Sequence, residues 1–323
     1  PIDYISLASG GNGIRFGDLS SQNSSLTATA SPIRGFMMGG NTPAITNLIE
    51  FVTISTLGNA QDFGDMVVGA SSAGATASRT RFIKAGGYMQ GSYLGDQIEF
   101  NTFASQGNAI DFGNLIEANE ATSGVSDGVR GVFMGGGNPS PNGGNRIQYI
   151  DIATTGNAVD FGDTTHSWYA GFAVNDTVRG IAGGGQTPDS PNNMNNGIDV
   201  ITIRTTGNAT EFGDLTQNSG GRYAAGGASN STRGLIAGGR YNCDQWITKT
   251  LCEQPKSRVI GAGVDKKKAG ASKNGHWGGV DDSNYPDLMS QPGSPGEDMS
   301  LGPKCLWLSH GSHVGDARAM DGP

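Results

Sequence analysis

The chain has little of what several protein classes require. Its 323 residues include three cysteines, and none of them falls within residues 1–242. Most of the chain therefore uses neither disulfides nor thiol chemistry, and it would fold in either redox compartment. No stretch reaches the roughly 18 to 20 consecutive apolar residues of a membrane-spanning helix. The first residues show no basic region followed by an apolar core, so no signal peptide is predicted, although one removed earlier would leave no trace.

Charge and aromatic side chains are also scarce. Charged residues make up 15% of the chain and aromatic residues 7%, whereas 54 residues are glycine. This composition excludes a helical bundle or a coiled coil, and the absence of a Gly-X-Y register excludes collagen. The net charge of −8 argues against nucleic-acid binding, which needs a basic surface to displace counterions from phosphates. An all-β protein with many tight turns remains.

One short pattern occurs five times along the chain. Its clearest copy reads Gly-Asn-Ala-Val-Asp-Phe-Gly-Asp at residues 156–163, and the shared phenylalanine recurs at intervals of 47, 49, 49 and 51 residues. A nearly constant period of this size predicts a repeat architecture. We expect the shared phenylalanines to form the core between repeats; they are Phe16, Phe63, Phe112, Phe161 and Phe212.

Two further signatures accompany each copy. Alternating apolar runs, which predict strands, start near residues 2, 49, 98, 147 and 198. Short apolar strands that end in a glycine pair, where another backbone must come close, begin at Arg34, Arg81, Arg130, Arg179 and Arg233. The repeated acids of the short pattern are predicted to cap turns or to pair with these arginines, which would fix the register of neighbouring sheets.

An apolar strand ending in Gly-Gly, then a loop and a strand that carries an aromatic residue, resembles the kelch repeat of β-propellers. The resemblance covers residues 1–240. The five phenylalanines stand where that family usually has tryptophan, and only Tyr4 and Tyr149 keep its usual tyrosine. The chain therefore looks like a divergent kelch-like group that includes virion structural proteins of marine bacteriophages of the cyanophage type. The resemblance implies a β-propeller and a place in a virion.

The order of the signatures adds a prediction about topology. The chain begins on the second strand of a blade, and its last clear repeat ends on a first strand at residues 233–239. We therefore predict an all-β, five-bladed propeller of four-stranded blades over residues 1–240, closed by pairing of residues 2–7 with residues 233–239. Such closure removes exposed sheet edges. Residues 241–323 are predicted to be an irregular C-terminal attachment tail. The alternative is that residues 257–263 belong to a degenerate sixth blade.

Candidate catalytic and metal-binding residues are few. Copper chemistry of the galactose-oxidase type needs histidine ligands and a cysteine-linked tyrosine, but residues 1–240 offer one histidine, His166, and no cysteine. A catalytic pair of carboxylates must be unique, whereas the repeated acids recur around the ring. We therefore predict no enzyme activity and no cofactor. The candidate tail ligands lack the paired spacing that zinc prefers; they are Cys243, Cys252, Cys305, His310 and His313. The three cysteines are therefore expected to be free or partly paired thiols.

The variable polar loops are the candidate binding surface. Oriented polar groups beside an aromatic face suit carbohydrate, and the candidate contacts are His166, Trp168, Tyr169, Tyr93, Asn142 and Asn192. We expect a non-enzymatic virion structural protein of a tailed phage, such as a tail-fibre or receptor-binding part. It would bind host-surface polysaccharide, and residues 241–323 would contact other virion subunits. The alternatives are a secreted or cell-surface lectin, a pure scaffold, and a polysaccharide-cleaving enzyme, which would need an unrepeated carboxylate cluster that the sequence does not show.

Overall fold

A computed structural model describes residues 1–7, 10–41, 43–91, 93–137, 144–187, 194–215, 222–230, 232–240, 260–261 and 304–306. These residues form antiparallel β-sheets and no helix. The all-β prediction is therefore confirmed. The first two strands, β1 (Ile2–Ser6) and β2 (Ile14–Gly17), pair as a hairpin.

Four complete blades follow in chain order, and each corresponds to one repeat period. Blade 1 contains β3 (Thr27–Ala30), β4 (Arg34–Met38), β5 (Leu48–Thr53) and β6 (Gln61–Asp65). Blade 2, whose first strand is broken in two, contains β7 (Ala70–Ser71), β8 (Gly74–Ala77), β9 (Arg81–Met89), β10 (Tyr93–Thr102) and β11 (Ile110–Asn114). Blade 3 contains β12 (Ser123–Ser126), β13 (Arg130–Met134), β14 (Gly144–Asp151) and β15 (Val159–Trp168). Blade 4 contains β16 (Phe172–Asn175), β17 (Arg179–Gly183), β18 (Gly197–Thr202) and β19 (Thr210–Asp214).

Two further sheets have three described strands each. The fifth sheet contains β20 (Tyr223–Ser229), β21 (Gly234–Arg240) and β22 (Ile260–Gly261). The closing sheet combines β1 and β2 with β23 (Lys304–Leu306), so it is built from both ends of the chain. The strands β22 and β23 come from the region that was predicted to be an irregular tail. The remaining residues of 241–323, with Cys243 and Cys252, lie outside the described residues.

The first strands of successive sheets form the inside of a propeller-like ring. The strand β3 contacts β8, and the series continues through β12 and β16 to β20. These strands carry small residues because the backbones come very close: a Cβ on Gly124 would lie 2.0 Å from the carbonyl oxygen of Ala75. A left-handed residue, with φ between 54° and 56°, lies just before or at the start of each of the five inner strands: Ser25, Ser72, Ala121, Ala170 and Ala224.

The repeated short pattern works as a clamp between sheets, which we call the outer clamp. The amide of Gly107 donates to the carbonyl oxygen of Phe63 (2.9 Å), and the amide of Ala109 donates to that of Asp65 (2.7 Å). The side-chain oxygen of Asn108 accepts from the Asp65 amide at 3.1 Å. Equivalent hydrogen bonds join the amides of three further glycines to phenylalanine carbonyl oxygens: Gly58 to Phe16, Gly156 to Phe112 and Gly207 to Phe161. Each Gly-Asn-Ala loop therefore holds the outer strand of the preceding sheet.

The repeated arginines form a second connection, and it differs from the predicted one. The guanidinium of Arg81 lies 4.6 Å from the ring centre of Phe100 and donates to the carbonyl oxygen of Ile152 (3.1 Å) in the next blade. Arg34 and Arg130 do the same with Phe103 and Ile203. The predicted pairing with the repeated carboxylates is wrong here, because each arginine lies on the second strand and those acids lie on the fourth.

Arg179 shows why the aromatic residue matters. The position that carries Phe100 in blade 2 carries Val200 in blade 4. A guanidinium stacks on an aromatic ring but gains little from valine. Arg179 instead pairs with Asp176, three residues earlier, at 3.2 Å on the surface. The arginine is thus present in all five repeats, whereas the group that it contacts depends on the residue that the neighbouring strand places beside it.

The predicted closure of a fifth blade is wrong. Strand β1 pairs with β2 and β23, and β21 pairs with β20 and β22, so β1 and β21 belong to different sheets. The described structure has four four-stranded blades rather than five. The reason is that segments from beyond residue 240 occupy the expected pairing positions: Leu306 lies opposite Tyr4, and Gly261 lies opposite Leu235.

The two ends of the repeat region nevertheless lie side by side. Leu235 packs against Ile5 and Leu7 in one buried cluster. The Nη1 atom of Arg233 donates to the carbonyl oxygen of Leu7, which is the contact that Arg34 makes with Phe103 between blades 1 and 2. The fifth sheet and the closing sheet are therefore neighbours in the ring.

Candidate functional site

The variable loops lie at one end of the sheets, which we call the loop end. The end of β4 lies opposite the starts of β3 and β5, because Met38 pairs with Thr27 and with Ile49. The connections into the inner strands and the long loops after each glycine pair therefore emerge together. The same order of pairing holds in blades 3 and 4.

The glycine pairs fix the connecting segments at this end. The amide of Gly136 donates to the carbonyl oxygen of Trp168 (2.9 Å), and the amide of Gly185 donates to that of Arg222 (2.7 Å). Gly136 has φ of 115° and Gly185 has φ of 86°, values that favour glycine. Each glycine pair thus holds the residue that enters the next inner strand.

The position just before each left-handed residue forms a set that we call the axial positions. The residue before four of these five positions is anchored by a glycine-pair bond, and an inner strand begins at or just after each position. The side-chain chemistry at these positions varies around the ring, whereas the left-handed backbone conformation that follows them is the same in every repeat. The residues are Ser24, Ser71, Glu120, Tyr169 and Tyr223.

Glu120 and Tyr169 come together beside Gly137. A Cβ placed on Gly137 would lie 3.0 Å from Cδ2 of Tyr169 and 3.1 Å from Cγ of Glu120. The Tyr169 side chain also packs on a buried cluster that includes Met194 and Tyr223. The loop end therefore presents a carboxylate stem next to the edge of an aromatic ring that is supported from behind.

The carboxylate of Glu120 is unusual in its surroundings. It is half-buried, and burial raises its pKa above the ordinary value of 4.5. Among the described residues, no side-chain hydrogen bond or ion pair is found for this carboxylate. Removing a carboxylate from water without supplying a partner is unfavourable. Such perturbed groups are therefore concentrated at functional sites.

His166 lies nearby on β15 and is exposed. Its Nδ1 atom is 2.8 Å from Oγ1 of Thr165, and that hydroxyl is 2.6 Å from Oδ1 of Asp199. A carboxylate accepts hydrogen bonds, so the Thr165 hydroxyl donates to Asp199 and accepts from His166. In a nucleophilic triad the histidine lies between the other two groups. Here the hydroxyl lies between them, and the arrangement orients the imidazole.

The other candidate residues are placed differently. Trp168 is fully buried, with Nε1 only 2.4 Å from a Cβ placed on Gly135, so its ring packs inside the protein. Tyr93 is exposed at the start of β10 in blade 2. Asn142 and Asn192 lie outside the described residues. Of the six candidates, Tyr169 is therefore the one that the structure joins to a perturbed carboxylate.

Glu120 was missed by the sequence analysis because no motif marks it. Its only signal is that it is the acidic member of a series in which the other repeats carry serine or tyrosine. That series becomes visible once the left-handed positions align the inner strands. Recurring acids attracted attention in the sequence, while this unrepeated one did not.

The fold and the loop end define a β-propeller-like protein with a carboxylate and an aromatic ring at a rigid surface. Neither family models nor curated proteins match the chain. In the part of the chain that the structure describes, no helix is long and apolar enough to cross a bilayer. The same residues contain no group of three His, Cys, Asp or Glu side chains placed to share a metal ion.

Proposed function

We propose that this protein is a non-enzymatic carbohydrate-binding structural protein, whose loop end contacts polysaccharide through Glu120 and Tyr169. The observation that carries the proposal is the placement of these two side chains beside Gly137. An aromatic face packs against the C–H groups of a sugar ring, and a carboxylate accepts hydrogen bonds from its hydroxyls. Sites of this kind combine a few oriented polar groups with an apolar surface.

Rigidity of the support favours the same function. The axial residues are held by backbone hydrogen bonds between blades rather than by a free loop. Side chains fixed before binding lose less conformational freedom when a ligand arrives. Neighbouring polar residues such as His166 and Thr165 extend the surface along β15.

The resemblance of the repeats to kelch repeats is consistent with a place in the virion of a tailed phage, where the ring would be displayed to host-surface polysaccharide. The acids of the short pattern recur around the ring, which favours a structural role for them over catalysis. Contacts with other virion subunits would use residues 241–323. A secreted or cell-surface lectin would use the same loop end, and a virion fraction that contains the protein would distinguish the two.

The test is titration of the full chain with a panel of bacterial surface polysaccharides, followed by calorimetry with any that bind. We expect Glu120→Gln and Tyr169→Ala each to weaken binding about tenfold, which corresponds to about 1.4 kcal/mol. The control is Glu211→Gln, because Glu211 is an exposed carboxylate on the outer strand β19. Binding that Glu120→Gln and Tyr169→Ala leave unchanged, or no binding to any polysaccharide, would contradict the proposal.

A further inference from the structure

The four outer clamps define two complementary surfaces. The acceptor is a Phe-Gly-Asp (or Asn) strand that offers the carbonyl oxygens of its first and third residues, the amide of the third residue and a glycine between them. The donor is a Gly-Asn-Ala loop that offers two amides and the asparagine oxygen. The acceptor glycine is required because a Cβ on Gly64 or Gly113 would lie 2.4 Å from the carbonyl oxygen of the donor glycine. Docking also buries the acceptor phenylalanine, since Phe16, Phe63, Phe112 and Phe161 are 3–4% exposed.

Blade 4 carries a fifth acceptor that is built in the same way and that no described residue covers. Phe212 is 47% exposed. Gly213 has φ of 148°, close to the 146° of Gly113, yet a Cβ placed on it would meet nothing within 4 Å. The backbone is thus already in the docking conformation. The chain contains no Gly-Asn dipeptide after residue 208, so the fifth sheet brings no donor of this type.

The closing sheet carries the matching unused donor. Gly11, Asn12 and Gly13 stand at the position of the Gly-Asn-Ala loops, between β1 and β2, and Asn12 and Gly13 are exposed. Glycine in place of alanine keeps the amide that a clamp needs. Among the described residues this loop binds no acceptor strand. The chain contains no phenylalanine after Phe212 that could form an acceptor of the same type on the sheet before it.

We propose that the unused donor loop of one copy, residues 11–13, docks on the unused acceptor edge of a second copy, residues 212–214. Within one chain the two surfaces are separated by the fifth sheet, which lies between blade 4 and the closing sheet. The contact joins different surfaces on the two copies, so it is heterologous and propagates head to tail. A single clamp is small. Association is therefore weak in solution and is strengthened when copies are held side by side.

Sedimentation velocity of the full chain over a concentration series tests this proposal. The sedimentation coefficient of the natural protein should rise with concentration. Phe212→Ser should abolish that rise, and Asn12→Ala should weaken the association about tenfold. The matched control is Ile110→Ser, because Ile110 is an exposed apolar residue on the outer strand of blade 2, where the acceptor is already filled. Ile110→Ser should associate as the natural protein does.

Mixing the two variants distinguishes this interface from others. Phe212→Ser keeps an intact donor and Asn12→Ala keeps an intact acceptor, so an equimolar mixture should form dimers at concentrations where neither variant associates alone. Circular dichroism of each variant confirms that it is folded. A natural protein that stays monomeric at every concentration, a Phe212→Ser variant that still associates, or a mixture that does not form dimers would overturn the proposal.

Discussion

The guanidinium of Arg233 donates a hydrogen bond of 3.1 Å to the carbonyl oxygen of Leu7, which lies 226 residues earlier in the chain. Arg34, Arg81 and Arg130 make the same bond to the next blade. The repeated arginine is therefore a connector between neighbouring sheets, and its last copy joins the end of the repeat region to its beginning. The outer clamp and the glycine pair are connectors too, so the short pattern and both ends of the arginine-to-glycine strand hold sheets to each other.

Replacing an arginine that binds the next blade should reduce the stability of the protein far more than replacing one that does not. Arg81→Ala removes a stacked guanidinium and its bonds to the carbonyl oxygens of Ile152 and Ala153. We expect the free energy of unfolding to fall by about 1.5 to 3 kcal/mol in urea denaturation. The control, Arg179→Ala, removes a surface ion pair with Asp176 and should change stability by less than about 0.5 kcal/mol. Equal losses for the two variants would contradict the connector role.

Two glycines of the short pattern provide a matched test of the outer clamp. Gly113 and Gly213 share nearly the same φ, but a Cβ meets the Gly156 carbonyl at 2.4 Å in the first case and open space in the second. Backbone strain should be the same in Gly113→Ala and Gly213→Ala, so the difference between them measures the steric conflict. We expect Gly113→Ala to be less stable by about 1 to 3 kcal/mol in thermal and urea unfolding. No difference would show that the clamp does not constrain the outer strand.

The buried pair of blade 2 should respond asymmetrically to mutation. Lys84 and Glu99 are each 2% exposed, and Lys84 Nζ lies 3.5 Å from Glu99 Oε1. Glu99→Gln leaves a buried ammonium without its counter-charge and should cost about 3 to 5 kcal/mol. Lys84→Met should be much milder, because blade 1 already places Met37 opposite Glu50 at the equivalent positions. Urea denaturation of the two single variants measures both costs, and a larger loss for Lys84→Met would contradict this account.

The same pair predicts a pH dependence with a definite sign. Burial lowers the pKa of Lys84 below 10.5, against the opposing effect of Glu99. The unfolded chain then binds this proton more tightly than the folded one, so stability rises as pH increases toward 10.5. The natural protein should therefore gain stability relative to Lys84→Met between pH 7 and pH 10. A difference that stays constant over this range would contradict the lowered pKa.

Glu120 predicts the opposite behaviour at acidic pH. Burial raises the pKa of its carboxyl above 4.5, so its protonated form favours the folded state. That contribution is fully present below the unfolded pKa and is lost as pH rises through the folded pKa. Glu120→Gln should therefore be more stable than the natural protein at pH 7 and equally stable at pH 3. Thermal unfolding at both values measures this, and equal stability at pH 7 would contradict the cost assigned to the carboxylate.

The repeat period was sufficient to predict strands and their order within each blade, because alternation and turn residues are local signals. The closure was not predictable in this way. The strand β23 has three residues and no repeat signature, so nothing in the sequence distinguishes it from a loop. The partners of Arg34, Arg81 and Arg130 were also hidden, since each lies about 70 residues away in the next blade. Glu120 was missed because its environment arises from three separate segments.

The most direct test of the account concerns which strand lies beside β1. In the structure Ile5 lies opposite Cys305, whereas the register that joins β4 to β5 would place Ile5 opposite Gly234. Directly opposed residues of antiparallel strands are close enough for a disulfide. With Cys243 and Cys252 replaced by serine, Ile5→Cys should cross-link to Cys305 under mild oxidation, as mass spectrometry of peptides will show. The account is contradicted if that cross-link fails while Ile5→Cys/Gly234→Cys, in a Cys305→Ser background, forms one readily.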